Sequence, residues 1–236
     1  LLKLSQERNE FLAIAAHDLK NPLSAIQGLA ELIINDYRTL SQQEVVDTLK
    51  MIVNSSKQMF DIVDNILQVN AIESEKMRVS LQEVDILSTA HILLERYTTQ
   101  ARAKNITLHF SHQEEVYYAQ VDLYLVVRVF DNLISNAIKY SPFDKNVYVK
   151  LSRREKVIHC EIRDEGPGLS EDDQKKLFGK FSRLTPIPTA QENSTGLGLF
   201  IVKKLVEAMQ GRVWCESELG KGSCFVVEFL AASFSG

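Results

Sequence analysis

The stretch Phe11–Pro22, FLAIAAHDLKNP, decides how the first third of the chain is built. An apolar run gives way to one histidine, an acid beside it and an Asn-Pro step. Leu12, Ala15, Leu19, Pro22, Ile26, Leu29 and Ile33 recur at alternating spacings of three and four. That is the seam of a helix packed on another helix. Val45, Leu49, Ile52, Ser56, Met59, Val63 and Ile66 repeat the rhythm. Residues 36–43 break it, and Ser41 with Glu44 carries a capping-box signature. Residues 1–74 therefore read as an antiparallel helical hairpin. Phe11, Ile14, Phe60 and Leu67 widen the apolar stripe beyond what two helices can cover, so two copies are expected to form a four-helix bundle.

His17 lies two positions from Ala15 and from Leu19, about 200° round a helix. It therefore points away from the seam, toward water. A neutral imidazole is a nucleophile, and Asp18 can hold one ring nitrogen and orient the other. Pro22 has no N–H for the carbonyl of Asp18, so the helix is expected to loosen one turn on.

Beyond a polar linker at 75–83 the character changes. Residues 84–103 look helical, 106–110 and 116–121 like strands, and 122–140 like a strongly amphipathic helix. Two strands, 147–153 and 157–164, flank Arg154-Glu155-Lys156. A helix over 196–210 precedes a final strand pair, 212–216 and 223–230, joined by a glycine-rich turn. The fold class expected is α+β: the hairpin, then an α/β sandwich over 84–236.

The chain has 236 residues, 45% hydrophobic and 25% charged, with net charge −4. That is an ordinary globular balance, and the charge offers no basic footprint for nucleic acid. Cys160, Cys215 and Cys224 are widely spaced and lack metal-site spacing, which points to reduced thiols in a cytoplasmic protein. No apolar run is long enough to span a bilayer. The chain begins in mid-helix character, so a membrane anchor on a longer parent is left open.

Three further segments carry chemistry. In DNLISNAIKYS (131–141), Asn132, Asn136, Lys139 and Tyr140 share one helix face. Carboxamide oxygens suit a Mg²⁺ ion that keeps its waters and phosphates, and Lys139 supplies a mobile positive charge. In DEGPGLS (164–170), Asp164 ends an apolar strand, where an acceptor can take the exocyclic amine of a purine. Gly166 and Gly168 allow close approach. In STGLGLFIVKKLVE (194–207), Gly196, Leu197 and Gly198 open a helix whose first N–H groups favour an anion. It is not a Walker loop. The preceding stretch, 184–194, contains Pro186 and Pro188 and has the composition of a lid.

Together the order HDLKNP, DNLISNAIKYS, DEGPGLS, LFGKFSRL, TGLGLFIVKKLVE resembles a sensor histidine kinase of two-component signalling, over essentially the whole chain. The resemblance implies that His17 is the phosphorylated residue and Asp18 the assisting acid. Asn21 matches the residue that positions water when such kinases dephosphorylate their partner. It implies ATP and Mg²⁺ as cofactors, with Asn136 as magnesium ligand and Asn132, Lys139 and Tyr140 on the nucleotide. Asp164 matches the adenine-binding acid, with Gly166 and Gly168 in its loop. Phe178 and Phe181 match an aromatic box, Arg183 a residue reaching the terminal phosphate, and Gly196 and Gly198 the second glycine box. The implied fold is the Bergerat type shared with gyrase and MutL-type ATPases. The implied partners are a second copy and the receiver domain of a response regulator, with a sensor domain upstream. Asp18 and Lys20-Asn21 stand where many members have Glu and Arg-Thr.

Two other classes compete. A gyrase-type ATP hydrolase places a Glu as general base where this chain has Asn132, and an amide cannot take a proton from water. A non-catalytic scaffold would have no need of His17, Asn136, Asp164 and both glycine pairs.

Overall fold

The computed structural model describes residues 2–74, 78–180, 182, 184–186, 188–189 and 196–232, with side chains from Ala13 on except those of Ile14 and Glu73. The chain separates into two compact units, Leu1–Lys76 and Met77–Gly236.

The first unit is the hairpin of α1 (Leu2–Asp36) and α2 (Gln42–Glu73). Helix α1 continues through Pro22, which is buried in the seam. The missing N–H therefore loosens one hydrogen bond without ending the helix. Ala15 is buried as well, and Leu19, Ile26, Leu29 and Ile33 are half-buried. Ser41 starts α2 with a reciprocal cap: its Oγ accepts from Glu44 N–H at 3.2 Å and its own N–H donates to Glu44 Oε2 at 2.8 Å. The seam on α2 differs from the expected one at every second position. Val45, Ile52, Met59 and Ile66 are half-buried, but they alternate with Thr48, Ser55, Ile62 and Val69. Ile62 is 3% exposed, whereas Leu49 and Val63 are 48% and 42% exposed. Both rows satisfy a spacing of three and four, so periodicity alone could not choose between them. Leu49, Val53, Phe60, Val63 and Leu67 are left as an exposed apolar row on the protomer.

The second unit begins with β1 (Gln82–Asp85), inside the stretch read as linker and helix, paired antiparallel with β3 (Tyr118–Val121). Helix α3 (Ile86–Ala103) starts only at Ile86, because Asp85 caps it, its carboxylate accepting from Leu87 N–H at 3.0 Å. Five strands form a mixed sheet in the order β2 (Thr107–His112), β4 (Asn146–Arg154), β5 (Val157–Asp164), β7 (Ser223–Leu230), β6 (Arg212–Ser217). Only β2–β4 is parallel.

Helices α3, α4 (Leu123–Tyr140) and α6 (Gly198–Ala208) pack on this sheet. The core lies between. Helix α4 gives it Leu125, Val126, Val129, Phe130, Leu133, Ile134, Ala137 and Ile138, all buried. Strand β5 gives Ile158, Cys160 and Ile162, and α6 gives Ile201, Val202, Leu205 and Val206. A short helix, α5 (Glu171–Lys176), was not expected. Six residues are too few to show a period, but Ser170 caps it through Asp173 N–H at 3.1 Å. Among the described residues no helix is long and apolar enough to cross a membrane.

Candidate functional site

In the hairpin, His17 is held on the outside of α1, its side chain 62% exposed. Its Nδ1 lies 3.1 Å from Asp18 Oδ1. A carboxylate can only accept, so Nδ1 donates in this contact, which in a neutral ring leaves Nε2 as the nitrogen with the lone pair. Asn21 is exposed one turn further along. The arrangement can deliver a single oriented nucleophile to a partner arriving from solvent.

In the second unit, three segments converge on the polar face of α4. Asn132, Asn136, Lys139 and Tyr140 are all half-buried along that face, opposite the dry row. Asn132 Nδ2 donates to Arg128 O at 3.0 Å, which fixes the amide. A methyl group placed at Gly198 would sit 2.7 Å from Asn132 Oδ1, so the start of α6 touches α4 here and a side chain would push the Asn132 amide aside. Leu197, at the N-cap of α6, is buried and offers no side-chain acceptor, while Gly196 ahead of it has φ 66. The first N–H groups of α6 thus have no acceptor from their own cap residue. Lys139 Nζ lies 5.9 Å from the Tyr140 ring centroid.

At the other end of α4, Tyr140 O meets the loop after β5. A methyl at Gly166 would come within 3.0 Å of that carbonyl and 2.7 Å of Asp164 Oδ1. Gly168 has φ +69 and abuts Glu218 O, a conformation and a contact that only glycine accommodates. Asp164 is 4% exposed. Its Oδ1 accepts from Gly166 N–H at 2.8 Å and Ser223 N–H at 3.2 Å. Its Oδ2 has no hydrogen-bond partner among the described residues, so it can accept from a ligand. Burial pushes the Asp164 carboxyl up to about 6 against those two backbone bonds. Glu165 next door moves the opposite way: the N–H of Asn146 bonds it at 3.1 Å and holds it below the usual carboxylate range.

Phe178 is half-buried, with Lys203 Nζ 6.0 Å from its ring centroid. Phe181 and Arg183 lie outside the described residues, as does most of the stretch 184–194. Its described parts are tied down at two points that the motifs did not mark. Thr185 N–H donates to Asp173 Oδ1 at 3.0 Å. Thr189 N–H donates to Lys139 O at 3.2 Å. The S-x-x-D cap at Ser170 could have pointed to Asp173; nothing local pointed to Thr189.

Asp164 carries a testable cost. Its native carboxyl binds a proton more readily than the unfolded one, about 6 against 3.8. Its contribution to stability is therefore full below pH 3.8 and lost as pH rises through 6. Asp164→Asn keeps an oxygen for Gly166 and Ser223 and removes the charge. The ligand-free variant is expected to be more stable at pH 8 by about 1–3 kcal/mol, with the gap closing toward pH 4. Urea unfolding at several pH values measures it.

Comparison with known proteins places both units. Residues 7–75 match the His Kinase A (phospho-acceptor) domain. Residues 121–233 match the histidine kinase-, DNA gyrase B-, and HSP90-like ATPase family. The sensor histidine kinase WalK of Bacillus subtilis is 27% identical over 224 residues, 94% of this chain and 36% of WalK. The chain thus spans about a third of the length of such curated relatives. The Acinetobacter baumannii histidine kinase AdeS has the same fold at TM-score 0.72 and 20% identity, covering 92% of this chain and 98% of AdeS. Histidine kinase ThkA, solved in complex with the response regulator protein TrrA, matches at TM-score 0.69 and 21% identity, covering 98% of this chain and 67% of ThkA. With a phosphoacceptor hairpin followed by an ATPase domain on one polypeptide, the chain belongs to the sensor histidine kinases of two-component signalling.

Proposed function

We propose that the chain is the catalytic core of an autophosphorylating protein-histidine kinase. Residues 1–74 act as a dimerising phosphoacceptor hairpin and 84–236 as the ATP-binding domain, joined by 75–83. The observation that carries the reading is His17: an exposed imidazole whose Nδ1 proton is held by Asp18.

The adenine amine donates to Asp164 Oδ2, in a pocket closed by Gly166 and Gly168. Lys139, Tyr140 and the N–H groups after Gly196 and Leu197 face the phosphates, Asn132 and Gly198 set the wall, and Phe178 flanks them. Phe181 and Arg183 complete the set by resemblance. Asn136 offers a neutral, hard oxygen on a half-buried face, which fits Mg²⁺ that retains phosphate and water ligands. When bound, that ion supplies positive charge to the phosphates. His17 Nε2 forms a bond to the γ-phosphorus as the bond to the β–γ bridging oxygen breaks, and ADP leaves with the electron pair. The Nδ1 proton stays on the hydrogen bond to Asp18, whose charge offsets the imidazolium. An aspartate of a receiver domain, of the kind seen with ThkA, then takes the phosphoryl group. Asn21 lies one turn from His17, where it can orient water in the reverse, phosphatase direction. The exposed row Leu49, Val53, Phe60, Val63 and Leu67 is the surface that a second hairpin would cover. Use of ATP locates the reaction in the cytoplasm. Hydrolysis to free phosphate is disfavoured, because the Asn132 amide cannot act as a base and its nitrogen already donates to Arg128 O.

Incubation with γ-labelled ATP and Mg²⁺ is expected to leave acid-labile, alkali-stable label on the chain and none on His17→Gln. Label that survives in the variant, or rapid release of free phosphate by the wild type, sinks the proposal. Gly198→Ala displaces only the flexible end of Asn132. It is expected to weaken ATP binding by about tenfold, the cost of roughly one hydrogen bond, with little change in unfolding midpoint. Asp164→Asn, the variant expected to gain stability, should lose more, about 10–100-fold. Titration calorimetry separates the two.

A further inference from the structure

Lys104 belongs to none of the motifs, yet it lies at the junction of three parts of the nucleotide site. We propose that it is a positioning residue: its buried ammonium fixes the last turn of α4 and the Thr189 end of the proline-bearing segment. The inference rests on the ATP site proposed above.

Lys104 is the C-cap of α3 and only 4% exposed. A buried ammonium is tolerated only where its protons find acceptors. Nζ donates to Ile138 O at 2.8 Å, Lys139 O at 3.0 Å and Thr189 Oγ1 at 2.5 Å. The two carbonyls belong to the final turn of α4, where helix carbonyls lack intrahelical partners and the dipole is negative. A cation is the complement of that end, and it sits under the turn that carries Lys139 and Tyr140.

Thr189 closes a second ring on the same carbonyls. Its N–H donates to Lys139 O at 3.2 Å and its hydroxyl can donate to Ser141 O at 2.8 Å while accepting from Lys104. The other end of this segment is fastened by Asp173, which accepts from Thr185 N–H and, at 3.2 Å, from Thr185 Oγ1. Pro186 and Pro188 lie between, so few backbone torsions are free. The chain of contact then runs onward from α4: Tyr140 O packs against Gly166, and Gly166 N–H holds Asp164. One ammonium thus sets the position of Lys139 and Tyr140 on one side and of the Asp164 loop on the other. Without it, Ile138 O loses its buried donor and Lys139 O keeps only Thr189, and the last turn of α4 frays.

The test uses the full 236-residue chain with Lys104→Met, Lys104→Arg, Thr189→Val and the Met/Val double variant. Three readouts are taken: the Kd for ATP, amide exchange at Thr189 without nucleotide, and the unfolding midpoint. Lys104→Met is expected to raise Kd by about tenfold and to speed exchange at Thr189, with the label yield on His17 at saturating ATP retained. Lys104→Arg restores part of both. Thr189→Val, at an exposed position, raises Kd several-fold without lowering the midpoint, and the double variant is no worse than Lys104→Met. Additive effects overturn the proposal. So does a Lys104→Met chain that loses stability but keeps wild-type Kd and exchange. If Lys104→Met does not fold, an unchanged Kd in Thr189→Val overturns it alone. A wild type that binds ATP but leaves His17 unlabelled removes the kinase reading and leaves this one standing, since neither Kd nor exchange needs transfer. A wild type that binds no ATP overturns both.

Discussion

Helix α4 can be dry on one side only, and that constraint aims every polar group it carries. Its eight buried side chains lock it against the sheet, so the polar face has no freedom to rotate. The flanks add direction. Asp131 accepts from Tyr97 OH at 2.9 Å on the side of α3, while Asn132 beside it faces Gly198 of α6. Burial, and then the Asp131 charge, push the Tyr97 phenol up, so it remains a donor. Both ends are tied as well: Asp122 accepts from Tyr124 N–H at 3.0 Å at the start, and Lys104 donates to the last carbonyls. A helix held at both ends and both flanks presents its amides preorganised, which phosphoryl transfer rewards because positioning is most of its catalysis.

Strand β5 meets a related constraint with a different outcome. Its inward row is Ile158, Cys160, Ile162 and Asp164, and strict alternation turns the last member into the interior. An aliphatic residue there would avoid burying a charge but would leave the Gly166 and Ser223 N–H groups without their acceptor. Against that burial, the N–H groups of Gly166 and Ser223, and then the charge of Arg163, pull the carboxyl back down. The thiols around it respond to the same environment. Burial pushes Cys215 up to about 12 and Cys224 to about 11, with Asp164 adding to both. They stay protonated and act as packing beside a charge, not as nucleophiles.

Much of this was legible because the signals are local. A period of 3.6 with a dry face announces α4, alternation announces β4 and β5, and Ser41 with Glu44 announces the start of α2. What failed was degenerate or distant. The α2 seam could be either of two rows that share Val45, Ile52, Met59 and Ile66, and only packing against α1 chose Ile62 over Val63. Val84 and Asp85 read as helix because a four-residue strand has no period of its own; pairing with Ala119 and Tyr118 decided it. Lys104 was invisible because its acceptors lie 34, 35 and 85 residues away.

The two units solve opposite problems. Around α4, geometry is built from buried or half-buried groups at many sequence positions, so each is held by several others. His17 has one neighbour fixing one proton and is otherwise open. A deeply enclosed imidazole would be shaped to a single partner. An open one on a helix can accept a phosphoryl group from a nucleotide domain and surrender it to a receiver, provided its tautomer is settled beforehand. Asp18 settles it. Its adjacency in sequence means that the nucleophile's chemistry travels with α1 and needs nothing from the second unit. Under the proposed function, a phosphorylated His17 would keep this proton-holding neighbour when it meets a receiver.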